Sequence, residues 1–257
     1  MPVSFTAVAL AGGHLEPDFR AAGYGAVNKA YVKIGETLML ERVLLALHAA
    51  ESVSRIRCVT QLQAFREAFG DPRAAGIDVV DPGNDLIDSL IAGFEALDPD
   101  EMALMCATDL PLASAAAIDA FAAKAADMAC DIGYGFVSRE SHVRKYPQIR
   151  HTWVKLREGT FCGSGVSVMR PGAAQPVADL LRKVTAARKS PLKIAALFSP
   201  GLLLRLPFGR VSIAELERQA DRISGVTCRG ILTDDPELAV NVDRASDIPE
   251  VERLLSS

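Results

Sequence analysis

The sequence predicts an α/β protein, built as a three-layer α/β/α sandwich around a mostly parallel mixed sheet. Apolar runs typical of strands alternate with segments whose apolar residues recur at helical spacing, and this alternation favours a sheet with helical crossovers. The run Met102 to Cys106 is apolar throughout, as in strands buried on both faces of a parallel sheet. With 257 residues, the chain is long enough to bury a substantial core.

Composition narrows the classes of function. The net charge of −4 argues against a nucleic-acid-binding surface that covers the whole protein. Five scattered cysteines without a Cys-x-x-Cys pair predict reduced, mostly buried thiols. The N-terminus lacks the basic start and cleavage site of a signal peptide, and no apolar run approaches the roughly 18 residues of a membrane span. We therefore expect a cytoplasmic protein with neither a nucleic-acid partner nor a transmembrane segment.

The first predicted strand, Ala7 to Leu10, breaks into Gly12 and Gly13, and Lys29 follows after a loop. Glycines let backbone N–H groups approach phosphate oxygens, and a lysine adds a compact positive charge. A plain strand and turn would give the same local pattern. The functional interpretation is a phosphate site, and it depends on what the rest of the chain supplies.

The next segments predict the crossover units of the first half. Thr37 is expected to cap one helix, and Asn84 is expected to cap a second. Strands are expected at 55–60 and 77–80, the latter stopped by Asp81-Pro82-Gly83. The predicted buried faces of the two helices are Leu40, Val43, Leu44 and Leu47, and Ile87, Leu90, Ile91, Phe94 and Leu97.

Two carboxylates follow predicted strands. Asp109 comes after the fully apolar strand, and Asp243 ends a predicted strand at 239–243. Open α/β sheets place their ligands at the carboxyl ends of strands. Asp247 is expected to form a capping box with Glu250, which leaves the Asp243 carboxylate available for a functional role. With the glycine loop, these carboxylates predict a site for Mg²⁺ and a nucleoside triphosphate, although a lone Asp before Leu-Pro is also common as a turn residue.

The one markedly basic segment lies in the middle of the chain and is followed by a glycine-bordered run at 159–165. Its basic and imidazole side chains are Arg139, His142, Arg144, Lys145, Arg150, His151, Lys155 and Arg157. The segment predicts either a lobe that grips an anionic acceptor or a solvated charged hairpin, and both interpretations stay open. In the first interpretation, the acceptor-binding residues are Arg144, Arg150, Gly163 and Gly165.

From Pro171 to Gly225 the pattern turns helical, with a leucine-rich piece at 192–208 that two prolines interrupt. This helical addendum is too short and interrupted to span a bilayer. It could cover the sheet, form the face of a homodimer, or bind the apolar tail of a lipid-linked acceptor. Its basic residues are expected to form a solvated face, and they are Arg182, Lys183, Arg188, Lys189 and Lys193.

Taken in order, five segments resemble the MobA-like nucleotidyltransferases, which share the GT-A type (nucleotide-diphospho-sugar transferase-like) α/β fold. The segments are Leu10-Ala11-Gly12-Gly13, Asn28-Lys29-Ala30 with Ile34-Gly35, Gly83-Asn84-Asp85-Leu86 with Asp88-Ser89, Asp109-Leu110-Pro111, and Asn241-Val242-Asp243 with Ser246-Asp247. The resemblance covers most of the chain. It implies that the first loop holds the nucleotide, Lys29 bears on its phosphates, Asp109 binds the metal and Asp243 completes that site.

The chain departs from the family pattern in three places. Relatives usually carry a shorter first loop with an arginine and a further glycine, whereas the loop here spans 14–25 with Arg20 as its arginine. Lys33 lies where relatives often have proline, and we treat it as a surface residue. Relatives commonly line the acceptor pocket with two adjacent glycines, which this chain separates as Gly163 and Gly165.

The resemblance implies a Mg²⁺-dependent nucleotidyltransferase, in which a phosphate oxygen of a small acceptor attacks the α-phosphorus of a nucleoside triphosphate and expels pyrophosphate. The expected catalytic residues are Lys29 and Asp109, and the expected metal ligands are Asp109 and Asp243. The expected nucleotide-binding residues are Leu10, Ala11, Gly12, Gly13, Lys29, Gly83, Asn84, Ser89 and Asp109. Asn84 and Asp88 can also be explained as a helix cap and a first-turn acid.

We expect one domain over 1–257. Its parts would be a nucleotide-binding half (1–110), an acceptor half (111–170), the helical addendum (171–225) and a closing strand and helix (226–257). Two alternatives remain. A GT-A glycosyltransferase would use a nucleotide sugar, but its usual Asp-x-Asp pair is absent because Ala107 and Thr108 precede Asp109. The other alternative is a nucleotide-binding module without turnover, which would have less need of Lys29, Asp109 and Asp243 together.

Overall fold

The main sheet is mixed and mostly parallel, as the sequence predicts. The computed structural model describes residues 4–187 and 199–256. In chain order the strands are β1 (Phe5–Leu10), β2 (Lys33–Ile34), β3 (Thr37–Leu38), β4 (Val53–Val59), β5 (Ile77–Val80), β6 (Ala103–Ala107), β7 (Ile132–Ser138), β8 (Val154–Leu156), β9 (Gly159–Met169) and β10 (Cys228–Thr233). The sheet order is β10-β7-β9-β6-β1-β4-β5, and β8 pairs with β9. Among the described strands of this sheet, the antiparallel pairings are those made by β9.

Helices cover both faces of the sheet. They are α1 (Pro17–Ala21), α2 (Met39–Ala49), α3 (Leu62–Phe69), α4 (Leu86–Phe94), α5 (Ala115–Ala126), α6 (Arg139–Lys145), α7 (Ala174–Ala187), α8 (Pro200–Arg205), α9 (Ile213–Ser224) and α10 (Ile248–Leu255). On one face, Leu47 of α2 and Phe121 of α5 pack against Ala7 and Cys106 of the strands. On the other, α4 and α7 pack against β1 and β6. The three-layer α/β/α architecture is therefore confirmed.

The predicted strands and helix faces are largely confirmed, whereas the predicted caps are not. The predicted face of α2 is buried, but Thr37 lies in β3, and the helix begins after Leu38 without a side-chain cap. Asp85, and not Asn84, caps α4, because its side chain accepts a hydrogen bond from the backbone N–H of Asp88 at 2.8 Å. Asp88 is the first-turn acid, as expected.

The predicted strand at 239–243 is wrong. A 3₁₀ turn, Pro236–Ala239, precedes an irregular extended segment. That segment makes a backbone hydrogen bond to the chain after β6, from Val242 N–H to Asp109 C=O at 3.0 Å, and its valines are buried. This one backbone bond to the chain after β6 does not make a strand ladder. The apolar alternation that predicted a strand reflects burial alone.

The predicted capping box between Asp247 and Glu250 is also wrong. The Asp247 carboxylate instead accepts hydrogen bonds from the backbone N–H groups of Asp243 and Arg244, at 3.1 and 2.8 Å. Asp247 is structural, as predicted, but it stabilises the turn that carries Asp243. This contact orients the backbone just after the extended segment.

The described part of 171–225 is helical, in α7, α8 and α9, as predicted. Arg182 on α7 pairs with Asp88 and Asp179. The predictions for Arg188, Lys189, Lys193 and the start of the leucine-rich piece lie outside the described residues. The five cysteines are unpaired and four of them are buried. None of the helices in the described part of the chain combines the length and the apolarity that a bilayer crossing requires.

Candidate functional site

The candidate site lies where two central strands end side by side. Leu10 at the end of β1 is in register with Ala107 at the end of β6, and β4 extends the sheet on the other side of β1. From β1 the strand order runs to β4 and β5 on one side, whereas β6 lies on the other side, so the order reverses between β1 and β6. The carboxyl ends of strands beside such a reversal are where α/β sheets bind ligands. A cleft of about 540 Å³ opens here. It is lined by Leu10, Gly12, His14, Glu16, Asn28, Lys29, Ala30, Leu86, Met105, Cys106, Ala107, Thr108, Asp109, Ser164, Gly165, Ser167 and Asn241.

Buried hydrogen bonds hold the loop that carries Lys29. The Asn28 side chain donates to the C=O of Ala11 at 2.8 Å and accepts from the N–H of Ala30 at 2.9 Å. It thereby caps the 3₁₀ turn Lys29–Tyr31. On the neighbouring strand end, the Thr108 hydroxyl donates to the C=O of Leu10 at 2.9 Å. These contacts fix Lys29 and Asp109 against the ends of β1 and β6.

Lys29 and Asp109 form the centre of the site. Lys29 Nζ lies 2.6 Å from Asp109 Oδ2, and both side chains are less than one-fifth exposed. Asn241 donates from Nδ2 to the other carboxylate oxygen, Asp109 Oδ1, at 3.0 Å. Both oxygens of the Asp109 carboxylate therefore have fixed partners. The charge-assisted bonds hold the carboxylate in one orientation.

Two further carboxylates act on the Lys29 ammonium. Asp243 Oδ1 lies 3.7 Å from Lys29 Nζ, and its side chain is 76% exposed. Glu16 is also within electrostatic range, and its Oε2 is buried without a hydrogen-bond partner among the described residues. Burial disfavours the charged ammonium, but Asp109, Asp243 and Glu16 outweigh it, so the pKa of Lys29 is raised above its ordinary value.

This donor set fits Mg²⁺. The Asp109 and Asp243 carboxylates lie within 4 Å of one ammonium and Glu16 adds a third negative charge that acts on it, so the cluster has an excess of negative charge. Among the described residues, the buried Oε2 of Glu16 has no hydrogen-bond partner. Mg²⁺ takes oxygen ligands, and one or two carboxylates suffice because water and substrate phosphates complete its octahedron. Within the described residues, no three metal-ligating side chains converge into a protein-only metal site. The arrangement suits a metal that arrives with phosphates.

Two glycines of the predicted nucleotide-binding loops, Gly12 and Gly83, lie where a side chain would not fit. A Cβ on Gly12 would lie 2.8 Å from Pro82 Cβ and 3.1 Å from Ser89 Oγ. A Cβ on Gly83 would lie 2.1 Å from Asp88 Cβ. The loop after β1 thus packs closely on the start of α4. Gly12 lines the cleft. The Ser89 hydroxyl instead donates a hydrogen bond to the C=O of Asp85 at 2.8 Å.

The remaining predicted nucleotide-binding residues flank the cleft. Leu10 lines it, and Ala11 is buried and bonded to Asn28. Gly13 has a φ of 94°, a backbone conformation that favours glycine, and it is exposed. Asn84 is also exposed. The structure therefore brings the first loop, Lys29 and Asp109 together, and places Gly83, Asn84 and Ser89 beside them.

The predicted acceptor-binding residues are not brought together. Gly165 lines the cleft, and a Cβ there would lie 2.6 Å from Leu110 Cδ1. Gly163 packs under the Tyr134 phenol, which leaves no room for a Cβ. Arg144 and Arg150 are exposed and do not line the cleft. Arg144 instead pairs with Glu140 one helical turn away, at 2.8 Å.

Asn241 and Glu16 are site residues that the sequence analysis did not assign. Asn241 lies two positions before Asp243, and that spacing is the signal that could have singled it out. Glu16 lies in the loop that departs from the family pattern, so no motif points to it. Its proximity to Lys29 depends on how the loop folds over the cleft, which the residue pattern does not reveal.

Comparison with known proteins agrees with this geometry. A hypothetical transferase from Thermus thermophilus is 31% identical, with a TM-score of 0.80, over 96% of this chain and all of that one. Two more distant structures share the fold. One is a CMP:2-keto-3-deoxy-manno-octonic acid synthetase solved with CTP, with 13% identity and a TM-score of 0.60 over 98% of each chain. The other is the 2-C-methyl-D-erythritol 4-phosphate cytidylyltransferase of Francisella tularensis, with 11% identity and a TM-score of 0.58 over 97% and 99%.

No protein of curated function matches the sequence. The sequence over residues 7–196, which is most of the chain and includes the end of β1, the first loop, Lys29 and Asp109, matches the MobA-like NTP transferase domain. The structural similarity extends over nearly the whole chain at 31% identity. The fold, the cleft and both comparisons agree, and the chain therefore belongs to the MobA-like NTP transferase family.

Proposed function

We propose that this protein transfers a nucleoside monophosphate from a nucleoside triphosphate to a phosphorylated small-molecule acceptor, releasing pyrophosphate in a Mg²⁺-dependent reaction. The observation that carries the proposal is the convergence of Lys29 with the Asp109 and Asp243 carboxylates at adjacent strand ends. A cation and oxygen ligands at this place suit a metal–triphosphate complex.

The chain's own residues supply positioning and charge. Lys29 is held by Asn28 and Asp109 with its ammonium in the cleft, where it meets the phosphate oxygens and balances the charge of the departing pyrophosphate. Gly12 leaves backbone N–H groups accessible to the same phosphates. Such transfers depend mainly on in-line positioning and electrostatic stabilisation.

Asp109 and Asp243 would hold Mg²⁺, with Asn241 keeping the Asp109 carboxylate oriented. When bound, the metal supplies a Lewis acid that polarises the α-phosphate. Because a phosphate acceptor is already ionised at neutral pH, no general base is needed. We therefore assign no proton transfer to Lys29, Asp109, Asp243 or Asn241.

The test is a pyrophosphate-release assay with ATP, GTP, CTP and UTP, Mg²⁺, and a panel of phosphorylated sugars and alcohols. We expect release with one triphosphate that depends on both the metal and an acceptor. Transfer from a nucleotide sugar without pyrophosphate release would instead indicate a glycosyltransferase. Binding of a triphosphate without turnover on any acceptor would favour a nucleotide-binding module.

A further inference from the structure

Glu16 lines the cleft together with Lys29 and Asp109, yet the proposed reaction gives it no role. Its Oε2 is buried and has no hydrogen-bond partner among the described residues. Glu16 is the residue before helix α1, but its side chain does not cap that helix. In the described chain, the ion pairs of Lys29 are with Asp109 and Asp243. Buried carboxylate oxygens without a partner are costly and rare, and a functional role is one common reason that they persist.

The loop that carries Glu16 packs against the segment that carries Asp243. Both contribute buried side chains to one apolar cluster, and these are Leu15, Phe19, Val240 and Val242. In addition, the backbone N–H of Ala245 donates to the Asp18 carboxylate at 3.0 Å, which ties α1 to the turn just after Asp243. The position of the loop relative to Asp243 is therefore set by close packing and by a hydrogen bond.

The polar residues of the same segment belong to the site. Asn241 stands between the two buried valines, lines the cleft and donates to the Asp109 carboxylate at 3.0 Å. Asp243 follows, and its Oδ1 lies 3.7 Å from Lys29 Nζ. The segment thus buries its valines in the apolar cluster and supplies its polar groups to the site. Glu16 lines the same cleft from the loop packed against it.

The charges of this cluster suit a triphosphate that enters with one divalent cation. Asp109, Asp243 and Glu16 all act on the ammonium of Lys29. Three carboxylates and one ammonium leave an excess of two negative charges, which would repel a triphosphate. A divalent cation balances that excess and binds the phosphate oxygens at the same time.

The chemistry of Mg²⁺ indicates how Glu16 meets the ion. Within the part of the chain that the structure describes, no three metal-ligating side chains converge to hold an ion by themselves. Mg²⁺ loses its waters reluctantly and keeps several of them when one or two carboxylates hold it. Those waters donate hydrogen bonds, and an ionised carboxylate accepts them. A third carboxylate in the cleft is therefore placed to bind the hydrated side of the ion.

We propose that Glu16 is a positioning residue, whose carboxylate accepts a hydrogen bond from a water on the divalent cation that Asp109 and Asp243 hold. The first loop thereby contributes to metal binding as well as to phosphate binding. This inference rests on the proposed nucleotidyl transfer, which supplies the metal–triphosphate complex.

The experiment is a titration of the full chain with Mn²⁺, alone and with ATP, GTP, CTP or UTP, followed by the longitudinal relaxation rate of water protons. Mn²⁺ replaces Mg²⁺ because both ions take octahedral oxygen ligands. Its paramagnetism raises the relaxation rate when the slowly tumbling protein holds the ion. We expect Glu16→Ala to weaken the binding of Mn²⁺ with the preferred triphosphate about tenfold, since a charge-assisted hydrogen bond is lost.

Further variants separate binding from structure. Glu16→Gln keeps an oxygen that can accept the hydrogen bond but removes the charge, so it should weaken Mn²⁺ binding by a smaller factor than Glu16→Ala. Neither change should lower the melting temperature of the metal-free protein, because Oε2 has no hydrogen-bond partner in the described chain. Glu36→Gln, at an exposed position in the turn between β2 and β3, is the matched control and should leave the titration unchanged.

The inference is overturned if Glu16→Ala holds Mn²⁺ as tightly as the wild type, whatever its melting temperature. It is also overturned if Glu16→Gln loses as much affinity as Asp109→Asn, because that result would make Glu16 a direct metal ligand. Wild-type affinity in Glu16→Ala with a large loss in Asp109→Asn contradicts this inference alone. A wild type that holds Mn²⁺ with none of the four triphosphates contradicts the proposed nucleotide chemistry and this inference with it.

Discussion

The predicted nucleotide half (1–110) and the predicted acceptor half (111–170) place their charges differently. In the first, Lys29 and Asp109 are mostly buried, 2.6 Å apart, and held by buried hydrogen bonds from Asn28 and Asn241. In the second, Arg144 has an exposed side chain and pairs with a neighbour on its own helix. Exposed ion pairs contribute little to stability and leave side chains free to move. A functional site is indicated by charged side chains that hydrogen bonds hold in place. A run of basic residues in the sequence does not show whether its side chains are held in this way.

The largest expected effect comes from Asp109→Asn. The change keeps the shape of the side chain but removes the charge that meets Lys29 and would meet the metal. We expect nucleotidyl transfer to fall by about a thousandfold in a steady-state assay. Asp127→Asn, an exposed position just after α5, is the control. Near-normal turnover in a folded Asp109→Asn protein would remove Asp109 from the mechanism.

Lys29→Met should have the next largest effect. It removes the cation from the phosphates and leaves the Asp109 carboxylate partly buried without its ion-pair partner. Turnover should fall by about a hundredfold, and the free energy of unfolding should drop by about 1–3 kcal/mol in urea titrations. Lys29→Arg should restore part of the turnover and part of the free energy of unfolding. Equal activity in Met and Arg variants would show that the charge at this position does not matter.

A pH experiment probes the acceptor half through His142. Its pKa is lowered to about 4 in the folded state, from 6.5. Between those values the unfolded chain binds more protons, so stability is lost as the pH falls through this window. From pH 7 to 5 we expect a loss of about 2 kcal/mol from this group. His142→Phe should lose correspondingly less than the wild type in urea titrations, and an identical pH dependence would contradict the burial argument.

The smallest effects are expected at Arg144 and Arg150, whose acceptor-binding role remains a prediction from the sequence. Because both side chains are exposed and do not line the cleft, we expect each Ala substitution to change the acceptor KM by less than about threefold. An increase of tenfold or more in either variant would restore the basic segment as the acceptor site and weaken the contrast between the halves.

Sequence patterns predicted the strands and buried faces well because burial repeats with the period of each element. The caps were less predictable. Asn84 and Asp85 are adjacent residues of the same capping class, and the start of α4 alone decides between them. The segment 239–243 alternates like a strand, but its one backbone bond to the chain after β6, from Val242 to Asp109, does not make a strand ladder.

In the site, the charged centre was predictable from motif order, and its supports were not. Asn241 bonds to Asp109 across 132 positions, and Glu16 acts on Lys29 from the loop that precedes it. His142 on α6 and His151 in the loop before β8 are nine positions apart, so no periodicity joins them. Contacts of this kind depend on how loops fold over the sheet, which local patterns do not encode.

We propose that the Lys29–Asp109–Asp243 cluster binds a metal–triphosphate complex. The most direct measurement is a thermal-shift panel of ATP, GTP, CTP and UTP, with and without Mg²⁺, on the wild type and Asp109→Asn. A ligand that binds the folded state raises the melting temperature by mass action. We expect one triphosphate to stabilise the wild type in a Mg²⁺-dependent way and to lose this effect in Asp109→Asn. Equal stabilisation of both proteins, or none by any triphosphate, would contradict it.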